Sequence, residues 1–213
     1  MRRPAFIMLL ALFALTVAHA SATELLQNGS FQTGDFTGWT LGTTPYGTAG
    51  VGFPVVASWP LNNSINAWEG NVGETDFCCG PQGATVSQIF TTGLGVETLS
   101  FDYAATGGPN DWNADGGRFV LLLDGQLLGN YDVGGIYPGQ TISGNLSVNV
   151  ALGAGQHTFE IDIERDYTSD SETPNQFITY ASVDYEVPEP GSLVLMGSGV
   201  LGLAGVLRRQ FGF

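Results

Sequence analysis

The chain has 213 residues, 43% of them apolar, with 31 glycines, six arginines, no lysine and a formal net charge of −14 at pH 7. That balance makes nucleic acid and anionic lipid head groups poor partners, since both call for a cationic face to neutralise phosphate. With two histidines and two cysteines, there is little material for a Ser-His-Asp triad or a Cys/His metal centre.

In chain order, Arg2 and Arg3 form a positive n-region and residues 5–17 an apolar h-region. Ala18-His19-Ala20 or Ala20-Ser21-Ala22 then offers a small-x-small cleavage site. Residues 1–22 therefore read as a cleavable secretory signal peptide, the competing reading being a retained anchor with an unusually short apolar stretch. Residues 23–187 follow as a single domain-sized stretch. They keep 19 of the 20 carboxylates beside only Arg118 and Arg165, which is seventeen net negative charges. Such a surface keeps an exported protein soluble by self-repulsion, and it also gathers cations.

Phe31, Phe36 and Trp39 stand near the start of this stretch and are expected in its core, because a large aromatic buries about 150 to 250 Å². Trp59, Trp68 and Trp112 lie among prolines, glycines and asparagines, a composition that reads as loops. Flat rings beside amides and carboxylates are what a sugar-binding cleft uses, so these three are carbohydrate-binding candidates. Loops pinned down by their own aromatics are the competing reading. Cys78-Cys79 would sit in an oxidising compartment after export, where a vicinal disulfide, strained because adjacent α-carbons lie closer than the usual span, would lock a turn. Intermolecular crosslinks are the first alternative, and a soft-metal site, weak without a nearby histidine, the second.

From residue 98 onward the chain alternates with period two. Leu99, Phe101 and Tyr103 face one way and Ser100 and Asp102 the other; Leu146, Val148 and Val150 repeat the pattern, as do Phe159, Ile161 and Ile163 against Glu160, Asp162 and Glu164. Ala181, Val183, Tyr185 and Val187 against Ser182, Asp184 and Glu186 complete the set. Asp124-Gly125 between two apolar runs signals a tight hairpin, since a type I′ turn needs positive φ. No sustained helical period occurs, so the expected fold is all-β, an antiparallel β-sandwich. Asp111-Trp112-Asn113-Ala114-Asp115-Gly116 satisfies the start of a calcium loop, with Asp111, Asn113 and Asp115 as oxygen ligands. The twelfth position is Leu122 and no carboxylate, which places affinity in the weak extracellular class, and the same residues are ordinary turn formers. His157 stands alone at a strand start, so no catalytic arrangement can be assembled around it.

Residues 188–213 read as an address. Pro188, Glu189 and Pro190 hold the chain extended ahead of the uncharged run 192–207, and Arg208-Arg209 follow. Sixteen residues make a helix of about 24 Å against a hydrocarbon core of about 30 Å. That is a short transmembrane helix, and the arginines behind it favour a cytoplasmic C-terminus. This order of Pro-Glu-Pro, Gly-rich apolar run and arginine pair resembles the PEP-CTERM sorting signal. The resemblance implies export, an intermediate anchored in the inner membrane, and processing by an exosortase-type protease. The tail 210–213 departs from the usual end within the basic cluster.

A second resemblance starts at Asn28-Gly29-Ser30-Phe31-Gln32-Thr33-Gly34-Asp35-Phe36-Thr37-Gly38-Trp39, which is similar to the opening strand of galactose-binding-like jelly rolls found in carbohydrate-binding modules. Residues 119–128 resemble their central hairpin and Ser182-Val183-Asp184-Tyr185 their final strand. In such modules the first and last strands often share a structural calcium ion, which would fall to Asp184 here. Gln32 stands where the family usually carries glutamate, and Asp184-Tyr185 where it carries aspartate-asparagine. The function expected is a non-enzymatic protein of the cell surface or extracellular matrix that binds polysaccharide, assisted by Ca2+. A structural or adhesive protein binding proteins or itself is the second reading, and a small glycoside hydrolase the third.

Overall fold

A computed structural model describes residues 23–44, 53–70, 82–166 and 174–185, together with Gly199. The chain divides into two units, Glu24–Tyr185 and a second made of Met1–Thr23 with Glu186–Phe213; the architecture below is that of the first. The signal peptide, the Pro-Glu-Pro segment, Arg208-Arg209 and Cys78-Cys79 all lie outside the described residues. Among the described residues no helix is long and apolar enough to cross a membrane.

The alternating segments are strands because only an extended chain puts every second side chain on one face. They form β6 (Gly95–Thr106), β11 (Thr141–Leu152), β12 (Gly155–Arg165) and β13 (Asn175–Tyr185). The remaining strands are β1 (Thr23–Glu24), β2 (Thr40–Thr43), β3 (Val55–Trp59), β4 (Asn62–Gly70), β5 (Gln82–Thr92), β7 (Ala114–Asp115), β8 (Arg118–Leu123), β9 (Gln126–Asp132) and β10 (Gly135–Ile136). One sheet runs β11-β6-β13-β4-β3, with β1 added to β13, and the other β2-β5-β12-β8-β9. Their ladders are antiparallel, with Phe101 opposite Leu146 and Asp162 flanked by Thr85 and Val120. The runs β4-β5-β6 and β11-β12-β13 each cross from one sheet to the other and back, the connectivity of a jelly-roll sandwich.

The expected hairpin is present. Asp124 and Gly125 have φ of 51° and 74° and join Leu123 to Gln126, the two positive φ values a type I′ turn demands. Between the sheets, Leu99, Phe101 and Tyr103 of β6 meet Val86, Phe119, Leu121, Phe159, Ile161 and Ile163 of the opposite layer. Tyr103 stacks on Phe119 with centroids 4.9 Å apart, and each large side chain removed from water here contributes about 2 to 3 kcal/mol.

Two expectations need correction. Residues 25–39 contain no opening strand. They form consecutive turns, in which Phe31 N–H donates to the Asn28 carbonyl at 3.0 Å and Trp39 N–H to Phe36 at 2.9 Å. These turns still deliver the aromatics to the core. Phe31, at φ 53°, stacks on Trp39 at 5.6 Å, and the Trp39 indole N–H donates to the Asn28 carbonyl at 3.1 Å. Trp59 and Trp68 are not loop residues either. Trp59 ends β3 and is buried with Ala67, Ala104 and Phe177, while Trp68, on β4, is 0% exposed and belongs to the main core. Pairing of β4 with β3 and β13 covers these rings, and that pairing is not visible in the local composition.

Candidate functional site

The third tryptophan behaves differently. Trp112 is 71% exposed, on the loop between β6 and β7, and Tyr137, 49% exposed, stands just after β10. The two loops are held together by a small ribbon in which Gly135 pairs with Asp115 and Ile136 with Ala114. Ala114 and Ile136 are buried and anchor the ribbon, so the side chains between and beyond them turn outward. Gly107 N–H donates to the Gln140 carbonyl at 2.9 Å, and Gly139 N–H donates back to Gly107 at 3.0 Å. Gly107 must be glycine, since a Cβ there would lie 2.2 Å from the Tyr137 carbonyl oxygen. Tyr137 N–H donates to the Gln140 side-chain oxygen at 3.1 Å, and its hydroxyl donates to Asn113 Oδ1 at 3.4 Å. The result is an end of the sandwich where two exposed rings stand among the amides of Asn113 and Gln140 on a braced loop pair.

Beneath this surface lies a charge cluster that supports it. Asp111 is buried and its carboxylate accepts from Gly108 N–H, which closes the loop just before Trp112. Asp115 uses one oxygen to accept from Gly117 N–H at 2.9 Å and the other from Asp166 N–H at 3.2 Å. Arg165, buried at the end of β12, donates to the Pro174 carbonyl. Burial pulls its guanidinium down to about 10, while the charges of Asp115 and Asp111 push it back up. Arg165 was not singled out from the sequence. The available signal was its rarity, as one of two basic residues in 23–187 placed at the end of an apolar strand.

The structure places Asp111, Trp112 and Asn113 on the loop that leads into β7, and Asp115 in β7 itself. Among the described residues no three acidic, histidine or cysteine side chains are gathered as a metal site. The Asp111 and Asp115 carboxylates accept from backbone donors, and their charges act on the buried Arg165. Asp184 lies on β13 opposite Thr98. Glu24 is the acidic group nearby that sequence reasoning missed: its Oε1 accepts from Leu26 N–H at 2.7 Å and Val183 N–H at 3.1 Å. Desolvation raises the Glu24 carboxyl above its ordinary range, against those hydrogen bonds, and Asp184 adds repulsion.

The acidic row on β12 is the other place where catalysis could hide. Asp162 is pushed up to about 8, chiefly by burial and then by Glu160 and Glu164. A perturbed carboxyl beside another carboxylate can mark a general acid. Asp162, however, is hemmed in between β5 and β8, and Glu164 is taken by Arg118 at 2.6 Å. His157 is likewise engaged on both ring nitrogens, by Asp124 at 2.8 Å and the Gly153 carbonyl at 3.0 Å.

Residues 186–209 match the PEP-CTERM protein-sorting motif. A motif of this kind implies export and processing by an exosortase. No curated protein matches the chain. Among solved structures, the chain is similar to TmCBM61, solved in complex with β-1,4-galactotriose, at 14% identity over 77% of this chain and 99% of that one, with a TM-score of 0.48. It is similar to TmCBM27, a carbohydrate-binding module described for specific mannan recognition, at 15% identity over 80% and 100% of the two chains, TM-score 0.49. The CBM22-1 xylan-binding domain of Paenibacillus barcinonensis Xyn10C gives 11% identity over 80% and 99%, TM-score 0.44.

Proposed function

We propose that this is an exported protein of the cell surface or extracellular matrix whose sandwich binds polysaccharide without cleaving it, through the loop platform of Trp112 and Tyr137. The sorting motif supports the destination. The exposure of Trp112 beside Tyr137, on loops hydrogen-bonded to one another, is the observation that carries the binding reading. A ring that size left in water forgoes its burial free energy unless a partner covers it, and a sugar presents C–H faces to rings and hydroxyls to amides. The rings of Trp112 and Tyr137 would bind without a metal, while Asp111, Asn113 and Asp115 are the candidate calcium ligands of the same loop.

The test is affinity electrophoresis of the protein through neutral and acidic polysaccharides, with and without millimolar calcium. Retardation in at least one gel is expected in both conditions. Trp112→Ala should weaken it by about thirtyfold, the effect of about 2 kcal/mol at an aromatic anchor, and leave the unfolding midpoint unchanged because the side chain packs against little. Free migration of the wild type in every gel would sink the proposal and return the protein to the structural or adhesive class. Retardation only with calcium would put Asp111, Asn113 and Asp115 back as metal ligands.

A further inference from the structure

A recess lies on the outer face of the β11-β6-β13-β4-β3 sheet and shares no lining residue with the loop platform. It has a volume of about 540 Å³ and is bounded by the N-terminal turns on one side and by β6, β11 and β13 on the other. Its lining includes Glu24, Asn28, Asp102, Asn145, Tyr180 and Ser182.

Both walls depart from regular backbone at this place. The β13 register shifts between Thr179 and Ser182, a bulge that leaves Ala181 buried and turns Tyr180 outward at 46% exposure. Tyr180 has φ 48°, the left-handed region that an aromatic residue rarely occupies without compensation. The compensation comes from the opposite wall. Ala181 N–H donates to the Gly29 carbonyl at 3.0 Å, and the approach is so close that a Cβ on Gly29 would lie 1.8 Å from the Ala181 carbonyl oxygen. Asn28, beside it, also has positive φ, at 53°. The bulge and the turn are thus stapled together, and what their joint distortion achieves is an exposed phenol ring lining a polar recess.

That lining is pre-arranged. Ser100 and Ser182 share a hydrogen bond of 2.9 Å across the β6/β13 ladder, and the Asn145 amide donates to Asp102 at 2.8 Å and to the Phe101 carbonyl at 3.2 Å. The lining holds two carboxylates, Glu24 and Asp102, and no basic side chain. Uronic acids and sulfated sugars are repelled by such a lining, whereas a hydroxylated ring that carries an ammonium is matched by it. We propose that this recess is a second carbohydrate site, selective for an amino-sugar unit with a free amine, whose ring lies on Tyr180 and whose ammonium faces Asp102 and Glu24. Glu24 stands at the recess edge with its Oε1 held by the Leu26 and Val183 N–H groups, which fixes the carboxylate in place.

The experiment is calorimetric titration of the full-length protein in detergent with a glucosamine hexamer, an N-acetylglucosamine hexamer and a linear polyamine. The expected result is binding of the glucosamine hexamer, with the acetylated hexamer and the polyamine each weaker by about tenfold or more. Tyr180→Gly, which removes the ring and suits the backbone, and Asp102→Asn, which keeps the shape and removes the charge, should each cost about tenfold or more. In a Trp112→Ala background, which removes the loop platform's own contribution, Tyr180→Gly should still cost about tenfold or more, which separates the recess from the loop platform. The proposal is overturned if neither hexamer binds, if the polyamine binds as tightly as the glucosamine hexamer, or if Tyr180→Gly has no effect while Trp112→Ala abolishes binding.

Discussion

Asp162 sits on the outward face of β12 yet is only 7% exposed, and its Oδ1 has no hydrogen-bond partner among the described residues. Burial, then Glu160 and Glu164, raise its carboxyl from the ordinary 3.8 to about 8. Between those values the folded state holds a proton that the unfolded chain has released, so stability falls as pH rises through that window. Asp162→Asn keeps the size and can still donate to Glu160, so it should remove the slope and raise stability on the alkaline side. Urea midpoints at about pH 5 and about pH 9 decide it, and equal slopes in wild type and variant would refute the assignment. The residue also shows where alternation misleads. Its period placed it correctly on the outer face, but two central neighbours bury that face locally, and strand order is not written in the alternation.

At the scale of elements, one side chain ties two turns. His157, at the start of β12, meets the Asp124 carboxylate of the β8–β9 turn and the Gly153 carbonyl of the β11–β12 turn, with the Phe90 ring tilted against it at 5.8 Å. Two acceptors on two ring nitrogens suit the imidazolium, and the Asp124 hydrogen bond first, then Gly153 and the charges of Asp124 and Glu97, raise the His157 pKa above 6.5. The same contact lowers Asp124 below 3.8. His157 contributes fully below 6.5 and loses its contribution as pH rises through its raised value; Asp124 contributes fully above 3.8 and loses its own as pH falls through its lowered value. The tie is therefore whole between 3.8 and 6.5. Solvent screening limits it to about 1 kcal/mol at most. The His157 ring-proton titration should show a midpoint above 6.5 that returns toward 6.5 in Asp124→Asn; an unshifted midpoint in the wild type would dissolve the tie. The turn itself was legible, because Asp-Gly names its own geometry. The partner thirty-three residues away was not.

For the whole molecule, the sandwich was legible wherever one face is buried along a strand's full length, as in Leu99-Phe101-Tyr103, and illegible where burial comes from pairing, as with Trp68 in the polar-looking β4. The platform was half legible: Trp112 and its acidic neighbours were found, while Tyr137 and Arg165 were not, nor was Tyr180 in the recess, since exposure, a buried counter-charge and a bulge arise only once distant strands meet. The sorting segment was read directly, because an address is a linear pattern that needs no fold.

The near-absence of basic residues has a practical corollary. From residue 23 to 187 the chain offers a trypsin-like protease only Arg118 and Arg165. The first lies on a strand paired on both edges and grips Glu164, and the second is buried. Neither scissile bond can reach a protease groove while the strands hold, so digestion of the intact protein should trim the arginines of the two tails and stop, leaving one domain-sized fragment. Its later disappearance is then a clock for global opening that needs no dye, no label and no engineered cleavage site.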